Sequence, residues 1–427
     1  MKKLLFIALV LVLAVGTLAV ACGSSTTTST TVATTAAPSS DTTAASTETT
    51  AATTGTTVAS SGVIKIGHIR PRSGPLAVAS AEMIKGFNFA LEQAGYQVAG
   101  KKIEVIEGDS KGDAATAVDV ARKMVERDGV AMIVGPTQGG EQMAVASYCE
   151  QVGIPVMFTN PAPFGVIAQS FHWTISAQGT EPMPGSTMGV YAYDELGLRN
   201  VDILTGDFAP GHGFMDAFMK TFKSKGGTIV QETYTPYPSP DFAPYLVALK
   251  PADAVIAWVD GEQAIKLLTQ YHELGIDKKM PIVGAFHGSF FSPYIMKALA
   301  PDVSEAYLGS LTPVPYSPLL DTEVNKKFVA DWQAKFGYLP DDPNAGPYQG
   351  ALTILAALTA TNGDTTPEKL REAVVSADFE GVDGPVKFDP QTGCAIKTYY
   401  IAKVGKQGDA FVYEPIMTYP NVPPAGF

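Results

Sequence analysis

Apolar residues recur along this chain in two alternating patterns, short unbroken runs and longer stripes spaced three or four residues apart. Val63-Ile64-Lys65-Ile66-Gly67 reads as a strand, and Lys102-Ile103-Glu104-Val105-Ile106 as another. Between them Met83, Phe87, Ala90 or Leu91 and Ala94 repeat at helical spacing, and Gly95 suits a left-handed cap where the helix stops. Val118, Ala121 and Val125 mark the next helical face. Ala131-Met132-Ile133-Val134 then runs apolar without alternation, as a parallel strand covered on both faces does. Gly135-Pro136 must end that strand, because proline has no N–H to give the ladder. A helix is predicted from about Gly139 to Gly153, ahead of a strand over Ile154–Phe158. The same punctuation returns at Gly197 before Val201–Leu204, at Gly226-Gly227 before Thr228–Val230, and at Gly275 before Pro281–Val283. Helices over 211–225 and 260–274 each carry one apolar stripe, Phe214, Phe218 and Phe222 in the first, Ala264, Leu267, Leu268, Tyr271 and Leu274 in the second. Two successive strand–helix arrays predict an α/β protein of two doubly wound parallel-sheet lobes. In such sheets ligands bind beyond the carboxyl ends of the strands, so the two arrays predict a cleft between lobes.

The first 61 residues follow different rules. Lys2 and Lys3 precede an apolar run from Leu4 to Val15, and the small residues Ala19-Val20-Ala21 lead to Cys22. A basic start, an apolar centre and a small-residue cleavage site make 1–21 a secretory signal peptide. The run is short for a helix that must cross about 30 Å of hydrocarbon. A cysteine directly after the small residues resembles the bacterial lipoprotein signal, in which Cys22 would be lipidated; Ala19 stands where that signal more often has leucine. Residues 22–61 add little but Thr, Ser, Ala and Gly, too little apolar surface to offset the entropy of ordering. They are expected to form a disordered tether with a reach on the order of 35 Å.

The body from Val63 onward is longer than one core usually supports, so two domains are expected. The formal charge of −12 becomes −14 once Lys2 and Lys3 are removed, which argues against nucleic acid as a partner. Cys149 and Cys394 could pair outside the cell, but Cys149 also fits an apolar helix face, and two distant cysteines fix no framework. Catalytic spellings are missing. Gly284-Ala285-Phe286-His287-Gly288 has phenylalanine where a nucleophile elbow needs serine. No phosphate loop or dinucleotide fingerprint opens a helix, and Ile276 follows His272-Glu273 where a zinc helix needs its second histidine. No enzyme activity, cofactor or metal is therefore expected. His287 alone among the histidines follows a predicted strand end in the second array.

Several phrases then fall into a known order. Ser73-Gly74-Pro75-Leu76 follows the first strand and Lys85-Gly86 lies in the first helix. Ile133-Val134-Gly135-Pro136, Gly153-Ile154-Pro155-Val156 and Asp241-Phe242 come next, then Gly384–Asp389, Gly393 and Tyr399-Tyr400-Ile401. Over 63–415 this order resembles the bacterial solute-binding proteins of the branched-chain amino acid type, the type I periplasmic-binding fold. The resemblance implies a monomeric extracytoplasmic protein that closes by a hinge on a small solute and delivers it to an ABC permease. It implies a first lobe of 63–177 plus 288–378, a second of 178–287 plus 379–427, and a three-segment hinge.

The site follows by the same resemblance. The loops that hold the carboxylate in amino-acid binders fall on Thr137-Gln138-Gly139 and on Asn160, Ala162, Pro163 and Phe164, with Ser73 in the first loop. An aromatic wall of the relatives falls on Ala79, which leaves space, and Trp173 stands where they commonly have arginine. In the second lobe Asp207-Phe208, Trp258, Phe286 and His287 lie at predicted strand tips. An ammonium group would need a carboxylate, and Asp260 and Glu262 follow the strand over 254–259; either acid could equally serve its helix N-terminus. The concentration of aromatic residues and the loss of hydroxyls favour a larger, partly apolar solute, an aromatic acid or modified amino acid, over leucine or valine. A receptor ectodomain or amide sensor of the same fold is the alternative function.

Overall fold

The computed structural model describes residues 62–427 apart from 75, 164, 167–170 and 287–289. The expected signal peptide, Cys22, the tether, Phe164 and His287 lie outside the described residues.

The first sheet uses β1 (Val63–Arg70), β2 (Gln97–Val98), β3 (Lys101–Asp109), β4 (Met132–Val134), β5 (Val156–Phe158) and β6 (Thr174–Ser176). Its order is β2-β3-β1-β4-β5-β6, with β3, β1, β4, β5 and β6 parallel. The second sheet is fully parallel: β7 (Asn200–Gly206), β8 (Thr228–Thr235), β9 (Ala254–Trp258) and β10 (Ile282–Gly284) pair in the order β10-β9-β7-β8. The remaining strands are β11 (Leu311–Val314), β12 (Phe379–Gly381), β13 (Gly384–Asp389), β14 (Cys394–Gln407) and β15 (Ala410–Val422). Long β14 meets β6 at Cys394 and Ser176, then runs out to pair with β11 and β15. The two doubly wound lobes read from the sequence are present.

The apolar run at β4 has the expected cause. Met132 and Val134 enter one core cluster of the first lobe while Ile133 enters the other, so both faces are covered. Full burial of each contributes about 1.5–3 kcal/mol. Lys85-Gly86 also has a packing reason: a β-carbon on Gly86 would collide with the backbone of Asn344. Glycine therefore lets the helix Ala77–Gln93 approach the helix Asp342–Ala360 closely.

The lobe boundaries differ from those implied at 287/288 and 378/379. Phe290, Phe291, Ile295, Met296, Leu299, Val303 and Tyr307 join the second-lobe core, whereas Val382, Val386, Phe388 and Ala395 join the first. Periodicity shows that a short helix has an apolar face but not which core receives it. We propose a first lobe of about 63–177 plus 316–395, and a second of about 178–314 plus 396–427.

Cys149 and Cys394 are unpaired and buried in the structure. Cys149 belongs to the first-lobe core, and burial raises its thiol pKa; the Cys394 thiol is pushed up to about 12 by the same cause.

Candidate functional site

At the first lobe's strand tips, β1 ends in Arg70, whose side chain is 0 % exposed. Its Nη1 donates to Thr137 Oγ1 at 3.1 Å and Asn160 Oδ1 at 3.3 Å, and lies 3.6 Å from Met83 Sδ. Nη2 donates to Thr159 Oγ1, and Nε donates to His68 Nε2 at 3.3 Å. Accepting there places the imidazole proton on Nδ1, which lies 3.4 Å from Glu107 Oε2. Burial lowers the His68 pKa, so the ring is neutral. Asn160 Nδ2 in turn donates to the Thr137 carbonyl at 2.5 Å. Arg70 thus gathers β1, the loop after β4 and the loop after β5. Burial pulls its pKa down to about 10, and it remains a cation at neutral pH.

The helix Gly139–Val152 begins beside this cluster, with Glu141 Oε2 accepting from the Gln138 N–H at 3.1 Å. Ala162 is buried and pairs with the crossing segment, its N–H donating to the Gly179 carbonyl at 2.9 Å. A β-carbon on Gly139 would lie 3.2 Å from Pro163 Cγ and 3.7 Å from Glu181 Oε1. Thr137, Gln138, Gly139, Asn160, Ala162 and Pro163 are therefore brought together.

The second lobe supplies an aromatic wall. Phe208 stacks on Tyr237 at 3.9 Å between centroids and lies nearly parallel to Trp258 at 5.4 Å. Phe214 meets Trp258 edge-on at 4.8 Å and stacks on Phe286 at 4.4 Å. The Tyr237 hydroxyl donates to Asp260 Oδ1 at 2.5 Å. Burial raises the Asp260 pKa, against which the Tyr237 hydrogen bond works. Asp260 sits at the start of the helix Gly261–Glu273, behind the wall.

Glu181 lies at the seam, on the segment that leaves β6 for the second lobe. It is buried, and a side chain on Gly213, in the helix Ala209–Ser224, would collide with its carboxylate. One carboxyl thus touches the start of a first-lobe helix and the first turns of a second-lobe helix. No hydrogen bond or ion pair of its side chain occurs among the described residues, and burial pushes its pKa up to about 8.

Other expected site residues lie elsewhere. Trp173 precedes β6, at the amino end of the strand, where its N–H donates to Glu150 Oε2 at 3.0 Å and its ring packs beside Gly153. Ligands gather at carboxyl ends, so this residue is remote from the cluster. Ser73 and Ala79 are exposed, and the Ser73 hydroxyl donates to Asp109 Oδ2 at 2.7 Å. Asp207 is exposed and paired with His212 at 2.8 Å, and Glu262 is exposed. Among the expected acids Asp260 is half-buried where Asp207 and Glu262 are exposed, and its Oδ1 already accepts from Tyr237.

Arg70, Thr159, Glu181, Phe214 and Tyr237 were not anticipated. Arg70 had a visible signal, a charge three residues beyond an apolar strand core. Tyr237 had none, because β8 runs five residues past the apolar stretch Thr228–Val230.

Comparison with known proteins follows this geometry. A profile described as periplasmic binding protein matches residues 63–409. A Leu/Ile/Val-binding protein homolog of Brucella melitensis is 26% identical over 359 residues, spanning 82% of this chain and 90% of that one. An ABC transporter substrate-binding protein from Sphaerobacter thermophilus superposes with a TM-score of 0.79 at 30% identity, covering 84% of this chain and 98% of the other. An ABC transporter solute-binding protein from Rhodopseudomonas palustris BisB5, solved with 3,4-dihydroxybenzoic acid, gives 0.77 at 27% identity, with coverage of 84% and 98%.

Proposed function

Because this chain belongs to the periplasmic binding protein family, whose members bind small solutes outside the cytoplasm for ABC transporters, we propose that it captures a small carboxylic acid with an aromatic or bulky apolar body. Its relatives are binding proteins, not enzymes, and the function proposed is capture and release without chemical change. The observation that carries the reading is the pairing of two unlike surfaces. The first-lobe tips present hydroxyl and amide groups over a buried guanidinium, while the second-lobe tips present Phe208 backed by Trp258 and Tyr237. The relative solved with 3,4-dihydroxybenzoic acid supports an aromatic acid.

Lipidation at Cys22, a flexible tether and a monomeric state complete the proposal. The lipid and the tether are supported by the small-residue run before Cys22 and the Thr/Ser/Ala composition after it. Mass spectrometry of the mature N-terminus tests the lipid.

One observation favours a second reading, an α-amino acid. Glu181 is a buried carboxyl at the seam with no cationic partner among the described residues, and an ammonium group would supply one. Calorimetry against benzoate, 4-hydroxybenzoate, L-phenylalanine and L-leucine separates the readings. The proposal expects tightest binding by an aromatic acid; leucine, isoleucine or valine as the sole tight ligand overturns it.

A further inference from the structure

Arg70 presents a buried charge that its direct contacts do not neutralise. Every group it touches is neutral: the hydroxyls of Thr137 and Thr159, the amide oxygen of Asn160, the His68 imidazole and the Met83 sulfur. The acids nearest in charge effect are Glu141 and Glu107. Glu141 accepts from the Gln138 N–H, and Glu107 faces His68 and pairs with Arg72. Among the described residues neither makes an ion pair with Arg70. The two acids offset part of the cost of burying this cation from a distance, and a carboxylate in contact with its surroundings would offset more.

Arg70 also fixes the polarity of its neighbours. A guanidinium has only donors, so each oxygen it touches must accept. Thr137 Oγ1 accepts from Nη1, which leaves its own hydrogen to donate elsewhere. Its remaining partner is Met83 Sδ at 3.9 Å, a weak acceptor. Thr137 is half-exposed, as are Gln138 and Gly139 beside it at the start of the Gly139–Val152 helix. The first-lobe floor therefore offers a polarised hydroxyl and helix N–H groups above a buried guanidinium, with the buried Glu141 carboxylate in the same first turn.

We propose that Arg70 is the charge selector of the site: it tunes the Thr137 floor to accept a solute's carboxylate and to reject the neutral amide or ester of the same shape. The inference rests on the proposed reading that the solute is a small carboxylic acid, and it holds for an aromatic acid and an amino acid alike. Arg70 acts through Thr137 and is a positioning residue.

The test uses isosteric pairs, benzoate against benzamide and L-leucine against L-leucinamide, on the wild type, Arg70→Lys and Arg70→Met. Wild type should prefer the acid by about 30-fold or more, the usual consequence of leaving a buried charge unmatched. Arg70→Met should lose that preference, and Arg70→Lys, which keeps the charge without the planar fork, should retain part of it. A merely structural arginine would lower affinity for acid and amide together and leave their ratio unchanged, which would overturn the proposal. Should both variants fail to fold, Thr137→Val, which removes the hydroxyl through which Arg70 acts, should lose the same preference, and a retained preference or a wild-type ratio near one overturns the proposal. Binding of neither pair would overturn the proposed ligand class, and this inference with it; binding of both members equally would overturn only the selector.

Discussion

The two lobes share a fold and differ in what they place at their strand tips. In the first lobe the tips are polar, and two of them converge on a cation at a third: Arg70, at the end of β1, holds Thr137 after β4 and Thr159 and Asn160 after β5 by hydrogen bonds. In the second lobe the tips are aromatic, and Tyr237, Phe208 and Trp258 lie face to face with one acid, Asp260, turned back into the protein. Parallel sheets of the same winding put the same backbone geometry at both mouths. What differs is the side chain on the last residue of each strand or on the three residues past it, and those few positions divide the work between a polar head and an apolar body.

Glu181 belongs to neither surface, and the largest predicted effect lies there. Its folded pKa of about 8 stands above the usual glutamate value. A raised acid pKa means that the folded state holds its proton where the unfolded chain has lost it. Stability therefore falls as pH climbs from about 4.3 towards 8 and is level above, with an upper bound of about 5 kcal/mol. Glu181→Gln should flatten that slope, measured as the difference between wild-type and variant denaturation free energies at pH 5 and pH 8.5. Parallel slopes would mean that the carboxyl is solvated in solution, and that the lobes do not close on it.

The next test concerns closure itself. Gly213 has no room for a side chain against Glu181, yet it lies within a helix, where valine is no worse than glycine. Gly213→Val should lower the melting temperature without solute, since the collision with Glu181 is present there too. It should weaken solute binding by roughly 10- to 100-fold, the equivalent of 1–3 kcal/mol of overpacking. Solution scattering should show less contraction on adding solute. Full affinity in this variant would show that the floor and the wall act without meeting at this seam.

The sequence made the scaffold legible and the site only in part, for a physical reason. Strand runs and glycine caps are local patterns, so β4, the Gly139 helix and the stop at Gly153 stand where periodicity puts them. The loop after β4 followed from the strand end, and the loop after β5 from the family resemblance. Arg70 was passed over because a charge at a strand end usually faces water, and only three-dimensional packing shows that it lies beneath two loops. Trp173 is the opposite case: the resemblance puts it at the site, but it precedes β6, which runs Thr174–Ser176, so its ring lies at the amino end of that strand. Lobe membership of the Pro293–Ala298 and Pro301–Ala306 helices was illegible, because an apolar face does not name its partner.

The smallest predicted effect separates the wall from an ammonium site most sharply. Asp260 is the one expected second-lobe acid that is not exposed, and from sequence it could have held a solute's amine. In the structure the Tyr237 hydroxyl donates to Oδ1, and burial favours the protonated acid. Its chemical task is then to hold Tyr237 flat against Phe208, and an amide oxygen can accept the same hydrogen bond. Asp260→Asn should change the affinity for an aromatic acid by no more than about threefold, because no charge is lost that the solute uses. An acid that received an ammonium group would behave otherwise: its neutral replacement would cost roughly 30-fold or more, since a buried cation would be left without its partner. Calorimetry on this single variant with benzoate and L-phenylalanine therefore reads the chemistry of the wall directly. Loss for the amino acid alone would move the ammonium site from Glu181 to Asp260 and make the second lobe a charged surface faced with aromatic rings.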